Sequence, residues 1–122
     1  MTGIDIVSIS RIEKMIERFG NKALQRFLTP KEILLVKKAS TAAGFWAAKE
    51  AASKAIGTGI GKECGFHDIQ ISKTKRNAPK LKYKKKIRKK YNINESVVSI
   101  SHDAGFAIAV VNVSKKNKKE KK

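Results

Sequence analysis

Residues 44–61 constrain the fold of this chain more than any other stretch, reading Gly-Phe-Trp-Ala-Ala-Lys-Glu-Ala-Ala-Ser-Lys-Ala-Ile-Gly-Thr-Gly-Ile-Gly. Alanines at 47, 48, 51, 52 and 55 form helix well and are small enough for close contact with a neighbouring element. The composition predicts a packed helix from Phe45 to Ile56, interrupted by Lys49, Glu50, Ser53 and Lys54. Glu50 and Lys54 are four residues apart and share a face. They read equally as a surface ion pair or as a carboxylate and a cation offered to a ligand. Gly57 suits a left-handed helix end. The glycines at 57, 59 and 61 either finish that end or let backbone amides approach a phosphate. The run is not a Walker sequence, because it follows the helix and Lys62 lacks a following Ser or Thr. Nor is it a dinucleotide fingerprint, because no strand immediately precedes it.

A chain of 122 residues forms one domain with little stability to spare, so oligomerisation would help it. Lys and Arg number 28 against 10 Asp and Glu, a formal charge of +18 that favours an anionic partner. The excess is uneven: residues 73–90 carry eleven basic side chains and no acidic one, and residues 115–122 carry six lysines and one glutamate. The second stretch reads as a solvated tail or an electrostatic arm, which divides the chain into a domain over 1–113 and a tail over 114–122. A single cysteine, Cys64, excludes an internal disulfide and fits a reducing compartment. No segment approaches the roughly 20 apolar residues of a membrane span. No basic region precedes a long apolar run, so a secretion signal is not expected and a cytosolic location is.

Taken in order, Gly3 to Ile9 reads as a strand with Asp5 embedded among apolar neighbours, a costly place for a carboxylate without a cation or strong hydrogen bonds. Asp5 is thus a solvent-side strand residue or part of a metal or phosphate site. Ser10 to Glu13 has the form of a capping box before a helix ended by Gly20. A short helical segment over Ala23 to Leu28 follows. Thr29-Pro30-Lys31-Glu32 starts another helix, expected to run through Val36, and Ser40 and Thr41 suit a break before the central helix. Asp68 to Lys73 is a strand, residues 75–79 a turn, and Leu81 to Tyr83 a short strand. Ile87 and Tyr91 suit an exposed helix. Val97 to Ser101 and Phe106 to Val113 form a hairpin around a turn at 102–105. The fold class is α+β, with a long central helix packed on a small, largely antiparallel sheet.

Three groups stand out as chemical anchors: Asp5, Glu50 and His102. Two carboxylates from distant segments can hold one Mg²⁺, whose other positions go to water and substrate phosphates. Lys54 could touch the same phosphates. His102 is either a turn residue or a phosphate ligand or proton carrier. Arg11, Lys14 and Arg18 recur on related turns of the first helix, either as a solvated face or as a landing strip for an acidic helix. The basic stretch over 73–90, with Tyr83 or Tyr91 to stack on a base, leaves a nucleic-acid-binding module as the alternative, although that reading gives Asp5 and Glu50 no task.

These blocks in this order resemble the holo-acyl-carrier-protein synthase family of small phosphopantetheinyl transferases. The resemblance rests on Gly3-Ile4-Asp5-Ile6-Val7, Arg11-Ile12, Phe27-Leu28-Thr29, Glu32, the block Trp46-Ala47-Ala48-Lys49-Glu50-Ala51-Ala52-Ser53-Lys54-Ala55-Ile56-Gly57-Thr58-Gly59, then Phe66-His67-Asp68-Ile69, Ser99-Ile100-Ser101-His102 and Ala107-Ile108-Ala109-Val110-Val111. It spans nearly the whole chain to about Val113.

The resemblance implies transfer of 4′-phosphopantetheine from coenzyme A to a serine of apo-acyl carrier protein, leaving adenosine 3′,5′-bisphosphate. It implies Mg²⁺ on Asp5 and Glu50, phosphate contact by Lys54, and His102 near the nucleotide end. It assigns Gly57, Gly59 and Pro79 to the coenzyme A site and Arg11, Lys14 and Arg18 to carrier docking. The general base stays open between Glu50 and a water on the metal. A homotrimer with sites between subunits is also implied, with neither membrane nor nucleic acid as partner. Two positions depart from the family pattern. Phe45 and Trp46 stand where an arginine and a phenylalanine are common, and Ala78 stands where a glycine commonly precedes the proline.

Overall fold

The computed structural model describes residues 1–117; the end of the expected tail, 118–122, lies outside the described residues. The elements are β1 (Thr2–Ser8), α1 (Ile9–Phe19), α2 (Asn21–Gln25), α3 (Pro30–Ile33), α4 (Ala39–Ala55), β2 (Ile69–Lys73), β3 (Pro79–Tyr83), α5 (Lys85–Tyr91), β4 (Ile93–Asp103) and β5 (Phe106–Lys115). A 3₁₀ turn, Phe66–Asp68, leads into β2. Three strands form a sheet in the order β1-β5-β4, β2 and β3 form a second, and every pairing is antiparallel. The α+β expectation holds.

The central helix starts earlier than its alanine pattern suggests. Ser40 and Thr41 lie in the first turn of α4 and do not precede it, and no side chain caps its start at Lys38. The first helix differs similarly. Its cap is Ser8, whose hydroxyl accepts from the Arg11 amide at 3.4 Å, so Ser10 and Glu13 lie inside the helix and form no capping box. Gly20 ends α1 as expected, donating to the Ile16 carbonyl. The Thr29–Glu32 capping box is present, but α3 stops at Ile33, short of Val36. At the far end β5 continues to Lys115, two residues beyond the strand end expected at Val113.

Small residues on α4 let backbones touch. Ala47, Ala48, Ala51 and Ala52 are fully buried, facing the inward alanines Ala107 and Ala109 of β5. β1 lies so close that a Cβ on Gly3 would sit 1.9 Å from the Ala51 carbonyl oxygen. That contact fixes the strand bearing Asp5 against the helix bearing Glu50. Around this centre pack Ile12, Phe27, Phe45, Ile69, Val111 and Val113, each worth about 1.5–3 kcal/mol when buried. Cys64 is buried as well, its thiol pushed up to about 11 chiefly by burial, which leaves it unreactive.

One buried charged pair ties the layers together. The Lys49 ammonium donates to Glu32 Oε1 at 2.8 Å and to the Phe27 carbonyl at 2.7 Å. Glu32 Oε1 also accepts from the Thr29 amide and Oε2 from the Ile71 amide, at 2.8 and 2.7 Å. Thus α3, α4 and β2 meet on one carboxylate. Burial pulls the Lys49 pKa down against the opposing pull of Glu32.

Candidate active site

Alternation along β1 turns Asp5, with Gly3 and Val7, toward α4, while Ile4 and Ile6 face outward. The Asp5 carboxylate meets Lys54, with Nζ 2.9 Å from Oδ1; the same ammonium donates to the Ile4 carbonyl at 3.3 Å. Lys54 therefore pairs across to the strand and not with Glu50 one turn earlier. Among the described residues Glu50 makes no ion pair. Burial is the main cause holding the Glu50 pKa above its ordinary value, the neighbouring charge of Asp5 is the second, and Lys54 and Arg11 oppose both.

The negative charge of Asp5 thus acts on Glu50 across the gap between β1 and α4. Both offer hard oxygen donors on rigid elements, which suits Mg²⁺. Among the described residues no group of three His, Cys, Asp or Glu gathers in one place. The residues fit the ion the sequence implies.

At the other end of α4, His102 lies within β4 opposite Ala107 and not in the turn, which Ala104 and Gly105 form at positive φ. Its Nε2 donates to the Ser40 carbonyl at 2.8 Å, which places the proton on Nε2 and leaves Nδ1 to face other groups. A cavity of about 150 Å³ lies here, lined by His102, Pro79, Thr41, Phe45 and Lys73. It exists because residue 44 is glycine: a Cβ there would lie 2.9 Å from Ile100 Cγ2 and 3.2 Å from His102 Nε2. Gly44 and Glu50 are separated by six residues, about 9 Å along the axis. The groups implied for nucleotide and for metal thus lie along one helix.

The glycine turn proves mainly to be a helix end. The amides of Thr58 and Gly59 donate to the Ser53 carbonyl at 3.1 and 3.2 Å, and that of Gly57 to Lys54 at 3.0 Å. Positive φ at Gly57 and Gly59 makes the turn possible. The departures from the family pattern also acquire reasons. Asn77, at φ 65, takes the left-handed place in the β2–β3 turn, so Ala78 needs no such freedom. Phe45 is buried, and the Lys73 ammonium lies 5.7 Å from its ring centre.

Arg11, Lys14 and Arg18 line one groove of α1 with Met15 and Phe19, about 350 Å³ in volume. Arg11 reaches across to Trp46, its guanidinium 5.5 Å from the ring centre. Sequence spacing missed that contact, as it missed Lys73 and the Glu32–Lys49 pair. The isolated lysine at 49 in an alanine run was the one available signal for the last of these. The tyrosines offered for base stacking are engaged: Tyr83 is buried and donates to the Ala52 carbonyl at 2.7 Å, and Tyr91 donates to Glu63 at 2.8 Å. Among the described residues no helix is long and apolar enough to cross a membrane.

Known proteins are similar to this chain along nearly its whole length. A holo-[acyl-carrier-protein] synthase of Aliarcobacter butzleri is 67% identical over 117 residues, covering 95% of this chain and 99% of that protein. The crystal structure of Helicobacter pylori holo-[acyl-carrier-protein] synthase in complex with coenzyme A is similar at TM-score 0.91 and 58% identity, covering 93% of this chain and all of that one. A Bacillus anthracis holo-(acyl-carrier-protein) synthase structure is similar at TM-score 0.79 and 38% identity, covering 94% and 96%. With residues 1–111 also matching the model of that family, the chain belongs to the 4′-phosphopantetheinyl transferase superfamily.

Proposed function

We propose that this protein is a holo-[acyl-carrier-protein] synthase, transferring 4′-phosphopantetheine from coenzyme A to a serine hydroxyl of apo-acyl carrier protein. The serine oxygen bonds to the β-phosphorus of coenzyme A as the bond to the bridging oxygen of the pyrophosphate breaks. Adenosine 3′,5′-bisphosphate leaves, and the serine proton goes to a base. The observation that carries this reading is the convergence of Asp5, Glu50 and Lys54 on one face in a chain of this family.

In this reading Asp5 and Glu50 hold Mg²⁺, which when bound neutralises charge on the transferring phosphoryl group. Lys54, half-exposed beside Asp5, contacts the same phosphates. His102 and Pro79 border the nucleotide. Gly57 and Gly59, past the other end of α4, belong to the coenzyme A site away from His102, and a Cβ at either would meet nothing within 4 Å. Arg11, Lys14 and Arg18 receive an acidic helix of the carrier, helped by the +18 charge.

The same reading makes the enzyme a cytoplasmic homotrimer with sites between subunits. The outward face of the β1-β5-β4 sheet supports it: Ile4, Ile6 and Val97 are 59%, 57% and 60% exposed, an apolar surface that a second copy would cover. Asp5 and Lys54 border a groove shared with Ile4, Ile6 and Ile108, which sets the charged site at the rim of that face.

The test is incubation with apo-acyl carrier protein, coenzyme A and Mg²⁺, followed by intact-mass measurement of the carrier. A phosphopantetheine adduct is expected; its absence with a competent carrier would reject the activity.

A further inference from the structure

Trp46 is the only tryptophan in the chain, and it does more than fill the core. Its ring is wedged between Phe27, 5.1 Å away edge-on, and Phe66, 4.8 Å away. The Arg11 guanidinium lies 5.5 Å from the ring centre. Trp46 is four residues before Glu50, so the two occupy adjacent turns of one helix face. Arg11 at once lines the basic groove of α1, lies on Trp46 and exerts its charge on Glu50. It stands where the proposed docking surface meets the proposed reacting centre.

We propose that Trp46 is a positioning residue for the acceptor protein: its ring holds the Arg11 guanidinium at that corner, so that an acidic carrier docks with its serine aimed at Glu50. The inference rests on the docking reading of α1. An arginine on an open helix surface samples many rotamers, and fixing it before docking removes an ordering cost from the encounter. Tryptophan gives a cation a stronger face than the phenylalanine common at this position in the family, and Phe27 and Phe66 keep that face from turning. Lys14 and Arg18, also in the groove, have no such anchor on α4 among the described contacts. Arg18 lies over Phe19 of its own helix, 5.2 Å from the ring centre, so Arg11 is the groove cation held by a ring of α4.

Steady-state kinetics with apo-acyl carrier protein and coenzyme A test this, using Trp46→Leu, Trp46→Phe, Arg11→Gln and the Arg11→Gln/Trp46→Leu double variant. Trp46→Leu should raise the KM for carrier about 3- to 10-fold and leave the KM for coenzyme A within about 2-fold, with Trp46→Phe in between. In the Arg11→Gln background Trp46→Leu should add no further rise, because the residue acts through Arg11. Emission from the single tryptophan should shift in Arg11→Gln. Equal rises in both KM values, or additive effects in the double variant, would mark a merely structural residue and overturn the proposal. If Trp46→Leu does not fold, an unchanged carrier KM in Trp46→Phe with no emission shift in Arg11→Gln overturns it equally. A carrier KM raised by Arg11→Gln but untouched by the Trp46 variants defeats this inference alone. A carrier KM untouched by Arg11→Gln defeats the docking reading, and the inference with it.

Discussion

The helix α4 carries two lysines five residues apart, and each meets a carboxylate from elsewhere in the fold, yet the two pairs are built in opposite ways. Lys49 and Glu32 are sealed from water, and every oxygen of the carboxylate is used: Thr29, Ile71 and Lys49 all donate to it. Lys54 and Asp5 lie at the edge of the same helix, with the lysine side chain half exposed and a second carboxylate, Glu50, beside them without an ion pair of its own. In the first arrangement every charged group has its partners; in the second, among the described residues, Glu50 has no ion pair. A buried pair satisfied on all sides fixes the rotation of α4; an open cluster of two carboxylates and a half-exposed lysine is the arrangement on which the proposed metal and phosphate binding rests. Completeness of partners, more than the presence of charge, separates the structural pair from the functional one.

The sharpest way to break that contrast is to remove Lys49. Lys49→Ala leaves Glu32 buried and without its cation, and should cost about 3–5 kcal/mol of stability in chemical denaturation. Replacing both partners, Lys49→Met with Glu32→Gln, should recover part of that loss, because the uncompensated charge is gone. Lys54→Ala, by contrast, should change stability by no more than about 1 kcal/mol, as exposed pairs do, while lowering turnover about 10-fold or more. A Lys54 variant as unstable as the Lys49 variant would erase the distinction.

Glu50 gives a smaller effect with a definite sign. Its folded pKa is raised above the ordinary 4.5, so at neutral pH the ionised side chain costs the native state stability that it does not cost the unfolded chain. Glu50→Gln should therefore raise the melting temperature modestly at pH 7 in the presence of a chelator. That gain should shrink as pH falls through the raised pKa and vanish below about 4.5. Melting curves across that window check it; a gain that grows on acidification would reverse the assignment.

Much of this contrast was unreadable from spacing, for a physical reason. The alanines of α4 announced a packed helix, because small apolar residues in sequence record their burial locally. The Thr29–Glu32 cap was readable because both its bonds close within four residues. The fates of Lys49 and Lys54 depend on partners 17 and 49 residues away. A glutamate and lysine four apart on one helix invited a local pair, but the fold brought β1 close enough to claim the lysine. The start of α4 was hidden because no capping side chain marks it, and the start of α1 because Ser8, two residues before the more conspicuous Ser10, does the capping. Asp5, Glu50 and Lys54 were each visible as candidates. That they meet was a matter of the close approach at Gly3, which sequence shows only as a glycine.

The central claim of the proposed function is that Glu50 serves metal binding and not the scaffold. Steady-state turnover of wild type and Glu50→Gln, titrated with Mg²⁺ and read as phosphopantetheine on the carrier, tests it most directly. The account predicts a kcat/KM lowered at least about 100-fold, with a weakened response to Mg²⁺ and a melting temperature at pH 7 no lower than that of wild type. Turnover and Mg²⁺ dependence equal to wild type would contradict it.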